Sequence, residues 1–144
     1  MRYPMPNYPC EFELPDDWLA AAGIDRFTPA ARCYHSTGDA VPVPLQEIEP
    51  PFRVQTCPKD WRGFDRERLT DVLKGIVSGA EIAPVPLIEL PSGDFLAQAP
   101  YRYRVRNGVH RFYASIAAGF KCLPATITTL AERSELSRKL GISA

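Results

Sequence analysis

The chain is poor in the features that assign a protein to a compartment or a metal at sight. No apolar stretch approaches the roughly 18–20 residues that cross a bilayer, and the opening Met1-Arg2-Tyr3-Pro4-Met5-Pro6 has no apolar region of the signal-peptide kind. These absences lead us to expect a cytoplasmic protein with no membrane partner. Histidine and methionine occur only twice each. The four cysteines, Cys10, Cys33, Cys57 and Cys122, are nowhere spaced as metal ligands. Cys33-Tyr34-His35 offers two ligand types with no second pair behind it, so no metal site is expected. The thiols read as scattered, reduced and mostly buried. Internal repeats and low-complexity tracts are absent too.

Net charge is also missing, with 17 Lys and Arg against 17 Asp and Glu, which argues against tight, sequence-independent DNA binding. The zero hides a gradient. Residues 1–50 hold eight acids and three bases, whereas residues 95–144 hold eight bases and two acids. From Phe95 to Ala131 there is no acid at all, and Arg102, Arg104, Arg106, Arg111 and Lys121 all fall in that stretch. Either the acidic N-terminal part folds back onto the basic part, or the basic part meets a polyanion.

What is present suits one globular domain: 144 residues, 45% hydrophobic and 24% charged. Residues 1–40 read as an N-terminal extension and residues 41–144 as the domain. Within the extension, Asp16 to Ala22 has acids at its start and Gly23 to stop it, a short helix; Trp18 on it reads as a packing anchor. Val41, Val43 and Leu45 alternate with Pro42 and Pro44, which makes an edge strand. Residues 49–64, with Arg53 and Trp61, form a long loop of the functional kind, in which Trp61 could stack on a base. Asp65 then caps a helix whose stripe is Leu69, Val72, Leu73, Ile76 and Val77, ended by Gly79. Pro84 to Leu90 is a strand, and Pro91-Ser92-Gly93-Asp94 a turn. Leu123 to Thr128 is a strand, and Thr129-Leu130-Ala131-Glu132 has the pattern of a capping box opening a last helix to Leu140. The order predicts an α/β or α+β domain around a small mixed sheet flanked by helices.

The most informative stretch is Tyr101 to Ser115. Tyr101-Arg102-Tyr103-Arg104-Val105 alternates with the period of a strand. Asn107-Gly108 breaks it, and from Val109 the period is helical, with Val109, Phe112, Tyr113, Ile116 and Phe120 on one stripe. His110 and Arg111 fall off that stripe, over Ala114, Ala117 and Ala118. A strand thus feeds through glycine into a helix whose first turn carries two basic side chains. A helix start presents unbonded N–H groups and partial positive charge, so this is an anion site in outline, and phosphate is the expected anion.

These pieces in this order resemble the ParB/sulfiredoxin superfamily, and within it the ParB N-terminal (ParB-like nuclease) domain, from about Val41 to Ile127. Val43-Pro44-Leu45-Gln46-Glu47-Ile48-Glu49-Pro50 looks like that family's first strand and turn. Asp65 to Gly79 with Ile82 to Leu90 looks like its helix and following strand, Tyr103 to Ala114 is similar to its phosphate-binding box, and Gly119 with Leu123-Pro124-Ala125 matches its closing segment. The resemblance implies three precedents: CTP-dependent clamps on DNA, ATP-dependent reduction of over-oxidised cysteine, and an ADP-dependent free serine kinase.

Carried across, Gly108 would admit a phosphate to the backbone, Asn107 would shape or cap the turn, and His110 and Arg111 would contact phosphate oxygens. Arg106 and the loop residue Arg53 are further candidate contacts, and Glu47, Glu49 and His110 are the candidate catalytic groups. The chain departs from the family in three ways. Sulfiredoxins have a catalytic Cys where Val109 stands, so reductase activity is not expected. ParB has a Glu at that same position, and its further DNA-reading domains have no counterpart here. The leading expectation is binding of a nucleotide (ATP, ADP or CTP, with Mg²⁺) at Asn107–Arg111, with phosphoryl transfer or hydrolysis open. The alternatives are a nucleic-acid-associated accessory protein with DNA as partner, and an inert interaction or immunity-type protein that acts through a protein partner.

Overall fold

Five short strands carry the domain, and their order in the sheet is not their order in the chain. The structure, a computed structural model, describes residues 1–6, 11–51, 64–90 and 101–132. A hairpin of β1 (Arg2–Pro4) and β2 (Glu11–Glu13) comes first, then helix α1 (Asp16–Ala22). Strand β3 (Val41–Pro44) leads through a 3-10 turn to β4 (Ile48–Glu49), and the next described element is helix α2 (Arg66–Ser78). Then follow β5 (Val85–Glu89), β6 (Tyr103–Val105), helix α3 (Val109–Ala118) and β7 (Cys122–Thr128). The sheet order is β3-β7-β5-β6-β4, with β3–β7 and β5–β6 antiparallel and β7–β5 and β6–β4 parallel. This is the α+β domain with a mixed sheet that the sequence predicts.

Strand β3, with Pro42 and Pro44, lies at the sheet edge, where missing N–H donors are best tolerated. Pro42 stands opposite Pro124 of β7, a pairing an antiparallel ladder accepts only where no hydrogen bonds are exchanged. Helix α2 starts where expected: the Asp65 carboxylate accepts the Arg68 N–H at 3.0 Å, and Gly79 closes the helix at φ 74°. Gly75, which costs about 1 kcal/mol against alanine in a helix, has a packing reason. A Cβ there would come within 3.2 Å of Ile82 Cδ1.

Leu69, Leu73 and Ile76 of α2 meet Phe112 and Tyr113 of α3, with Val43, Val85, Leu87, Leu123 and Ala125 from the sheet, in one buried cluster. The buried face of α3 is wider than its expected stripe. It takes in Ala114, Ser115 and Ala118 because α2 and β7 both pack on the helix, while Val109 and Ile116 stay half-buried.

The first forty residues contribute to this same core. Phe12 and Leu14 are fully buried in it, and the Phe12 ring meets Tyr113 edge-on at 4.9 Å. The hairpin that carries Phe12 was not expected, although Glu11-Phe12-Glu13-Leu14 has the alternation of a half-buried strand. Helix α1 and its Gly23 stop match the expectation, and Trp18 packs against the core. At the other end, Thr129 Oγ1 accepts the Glu132 N–H at 3.2 Å, the Thr side of the expected capping box. The rest of that helix, the 91–94 turn, Arg53 and Trp61 lie outside the described residues.

Candidate functional site

Strand β6 is held through Val105, opposite Leu87, and the Arg106 N–H still donates to Pro86 O at 2.9 Å. Two residues later the chain reverses into α3. Gly108 makes the bend at φ 109° and ψ 38°, left-handed backbone that only glycine enters without strain. It is the N-cap of α3, and no side chain caps the helix. The Phe112 N–H bonds to Gly108 O at 3.0 Å, so the N–H groups before it point out of the helix start.

Arg111 is fixed across this bend. Its Nη1 donates to Ala83 O at 3.1 Å and to Pro84 O at 2.8 Å. Its Nη2 and Nε lie 2.9 and 3.0 Å from where a Cβ on Gly108 would stand. That edge of a guanidinium is the one that grips a phosphate through two parallel N–H bonds. Neither Nη2 nor Nε has a hydrogen-bond partner among the described residues. The Tyr34 hydroxyl donates to the same Ala83 carbonyl at 2.8 Å. Burial pushes the Tyr34 pKa far above its ordinary value, with the Arg111 charge opposing and Cys33 adding to the rise.

His110, in the first turn of α3, also makes a contact with α2 that the sequence reading did not foresee. The backbone N–H of Asp65 donates to His110 Nε2 at 2.9 Å. The imidazole also lies edge-on to Phe64, 6.1 Å between centroids. His110 thus ties the start of α3 to the start of α2, beside the Arg111 guanidinium.

The two helix starts frame a hollow of about 350 Å³ lined by Asn107, Gly108, Val109, His110 and Arg111 on one side and Arg68, Asp71 and Val72 on the other. Four of the expected residues, Asn107, Gly108, His110 and Arg111, are therefore brought together. Arg68 and Asp71 are lining residues that sequence reasoning missed. They lie three apart on α2, beside its apolar stripe, and nothing in that spacing marks them as facing α3. Asp65, at the mouth, has its carboxyl held below the usual range, chiefly by the Arg68 N–H bond.

Glu47 and Glu49 are elsewhere. Glu47 Oε1 is 3.2 Å from Arg102 Nη1 and Glu49 Oε2 is 2.6 Å from Arg104 Nε, across the parallel β4–β6 pair. Neither carboxylate lines the hollow, and nor does the exposed Arg106 side chain. The pairing does show the acidic part of the chain answering the basic part, one of the two outcomes the charge gradient allowed. Among the described residues no group of three or more His, Cys, Asp or Glu is placed to hold a metal. No helix among them is long and apolar enough to cross a membrane.

No protein-family model and no curated protein matches this chain. Among solved structures it is similar to sulfiredoxin from Arabidopsis thaliana, with a TM-score of 0.46 and 20% identity, covering 72% of this chain and 98% of that one. What the chain does must still be read from its own residues.

Proposed function

We propose that the chain binds the phosphate groups of a nucleotide in the hollow between α2 and the start of α3. One observation carries this reading. Arg111 is immobilised by two backbone carbonyls while its Nε–Nη2 edge lies over a glycine at an uncapped helix start. A buried-side anchor of neutral carbonyls orients the guanidinium and leaves its full charge for a ligand. The hollow's size falls within the roughly 300–1,000 Å³ of small-molecule sites.

Mg²⁺ fits the donors present. It is usually held by one or two carboxylates together with substrate phosphates, and Asp71 lines the hollow with no hydrogen bond or ion pair among the described residues. Bound there, the ion would neutralise phosphate charge. Arg111 and the helix start would orient the same phosphates, and positioning of this kind is most of what phosphoryl transfer asks of a protein. Asp71 replaces Glu47 and Glu49 as the acid/base candidate, because those two are engaged with arginines outside the hollow. The finer likeness to the ParB N-terminal domain rests on the five sequence pieces. The nucleic-acid alternative gains no support from Arg102 and Arg104, whose charges are answered by Glu47 and Glu49.

The test is a melting panel with ATP, ADP and CTP, each with Mg²⁺. A nucleotide present at a hundred times its Kd stabilises by about 2.7 kcal/mol, and Arg111→Lys, which keeps the charge but loses the planar fork, should remove most of it. If none of the three nucleotides shifts the melt, the reading fails.

A further inference from the structure

At the opposite end of α3 lies a larger cavity, about 440 Å³. Met5, Leu45 and Phe120 give it an apolar floor, Arg32 and Lys121 are its cations, and Cys122 opens onto it. No carboxylate occurs among its described lining residues. The Cys122 N–H donates to the Arg32 carbonyl at 3.0 Å, which sets Cys122 across from the Arg32–Cys33 peptide. Cys33 follows Arg32 directly in the chain, so it stands one residue from the position that faces Cys122, and the Cys122 sulfur is near enough to raise the Cys33 pKa. The Arg32 side chain reaches over the same contact, its Nη2 donating to Cys122 Sγ at 3.4 Å. Both cysteines are free thiols, Cys33 half-buried and Cys122 buried. No third His, Cys, Asp or Glu joins them among the described residues.

We propose that Cys33 and Cys122 form a reversible disulfide by exchange with a small anionic disulfide that enters the cavity at the C-terminal end of α3. Cys122, which faces the cavity, attacks as thiolate on one sulfur of the reagent. The reagent's S–S bond breaks, one reagent thiolate leaves, and Cys122 is held as a mixed disulfide. The Cys33 thiolate then attacks Cys122 Sγ and expels the second reagent thiolate. The protein loses two thiol protons and two electrons, and the reagent gains both as two thiols. Arg32 and Lys121 favour a reagent that carries carboxylates, and the absence of acids from the lining removes any repulsion. Burial, then the neighbouring Cys122 sulfur, push the Cys33 thiol pKa up while Arg32 opposes them, so the second step should quicken as pH rises.

The experiment uses the full chain with Cys10→Ser and Cys57→Ser, exposed to mixtures of oxidised and reduced glutathione. The expected result is loss of both remaining thiols and a cross-linked peptide pair carrying Cys33 and Cys122, reversed by dithiothreitol. Adding Cys33→Ser should stop the reaction at a glutathione adduct on Cys122. Free thiols throughout, or adducts on both cysteines with no cross-link, would overturn the proposal. The unaltered chain, mapped by the same peptides, serves should the serine variants not fold. For the charge claim, Lys121→Glu should slow glutathione disulfide several-fold while leaving a neutral hydroxyethyl disulfide unaffected. Equal slowing of both reagents would refute anion selection. Every readout is a thiol or a peptide mass, so the outcome is independent of nucleotide binding.

Discussion

Arg104 and Arg111 leave the same short stretch of chain and end in opposite electrostatic situations. Arg104 projects from β6 into solvent and meets the Glu49 carboxylate at 2.6 Å. Arg111, half-buried in the first turn of α3, meets the carbonyls of Ala83 and Pro84. A carboxylate partner cancels an arginine's charge, and at a surface the pair contributes about 0–1 kcal/mol. Carbonyl partners only orient the guanidinium, so its charge remains available to an incoming anion. A basic segment therefore cannot be judged by counting its arginines. What matters is whether their partners are charged.

The comparison breaks most visibly at Gly108 and Arg111. Gly108→Ala puts a methyl group at φ 109° and within 2.9 Å of Arg111 Nη2, so we expect a loss of about 1–3 kcal/mol from backbone strain and loss of the nucleotide-induced shift. Arg111→Ala leaves the Pro84 carbonyl without a donor among the described residues, while Ala83 O keeps the Tyr34 hydroxyl. The expected cost is about 1–3 kcal/mol in denaturant melts, again without a nucleotide shift. Arg104→Ala should change stability by no more than about 1 kcal/mol and leave nucleotide binding intact. Should Arg104→Ala lose the nucleotide shift while Arg111→Ala keeps it, the assignment of charges is reversed.

A second effect, smaller, concerns polyanions. Glu47→Gln with Glu49→Gln keeps the shape of β4 but releases Arg102 and Arg104 from their partners. Weak DNA binding should then appear or strengthen, and its salt dependence should steepen by roughly one phosphate contact for each arginine released. An unchanged salt slope would mean that the ion pairs were not what silenced the strand.

The difference between the two arginines also marks how far the sequence could be read. The bend at Asn107-Gly108, the helix after it and the cap at Asp65 were legible, because each depends on residues within a few positions of one another. Where Glu47 and Glu49 would point was not legible, for the converse reason. Their partners lie 55 positions away in the chain, and only the parallel β4–β6 pairing brings them together. Asp71 and Arg68 were passed over because their role depends on how α2 sits beside α3, which no local pattern records. The Cys33–Cys122 neighbourhood is the same lesson at longer range. Spacing rules look for residues close in sequence, and this neighbourhood rests on the bonds between Arg32 and Cys122, which are 90 positions apart.

The smallest expected effect lies at the hollow's mouth. Asp65 caps α2 with its carboxylate, and its own N–H holds His110, so one residue joins the starts of both helices. The Arg68 N–H bond lowers the Asp65 pKa below 3.8. A carboxyl with a depressed folded-state pKa stabilises the fold in full above its unfolded value, and the contribution fades as pH falls through the folded one. Asp65→Asn keeps a capping oxygen without the titration. The melting temperature of the native chain should therefore exceed that of Asp65→Asn by a small, constant margin from neutral pH down to about 5. The margin should close below about pH 4. Because the group is exposed, screening by salt should narrow the gap in the upper range as well. A margin that instead widened toward low pH would mean the Asp65 carboxyl is stabilised in its protonated form, and the helix start would then be less electropositive than the proposed phosphate site requires.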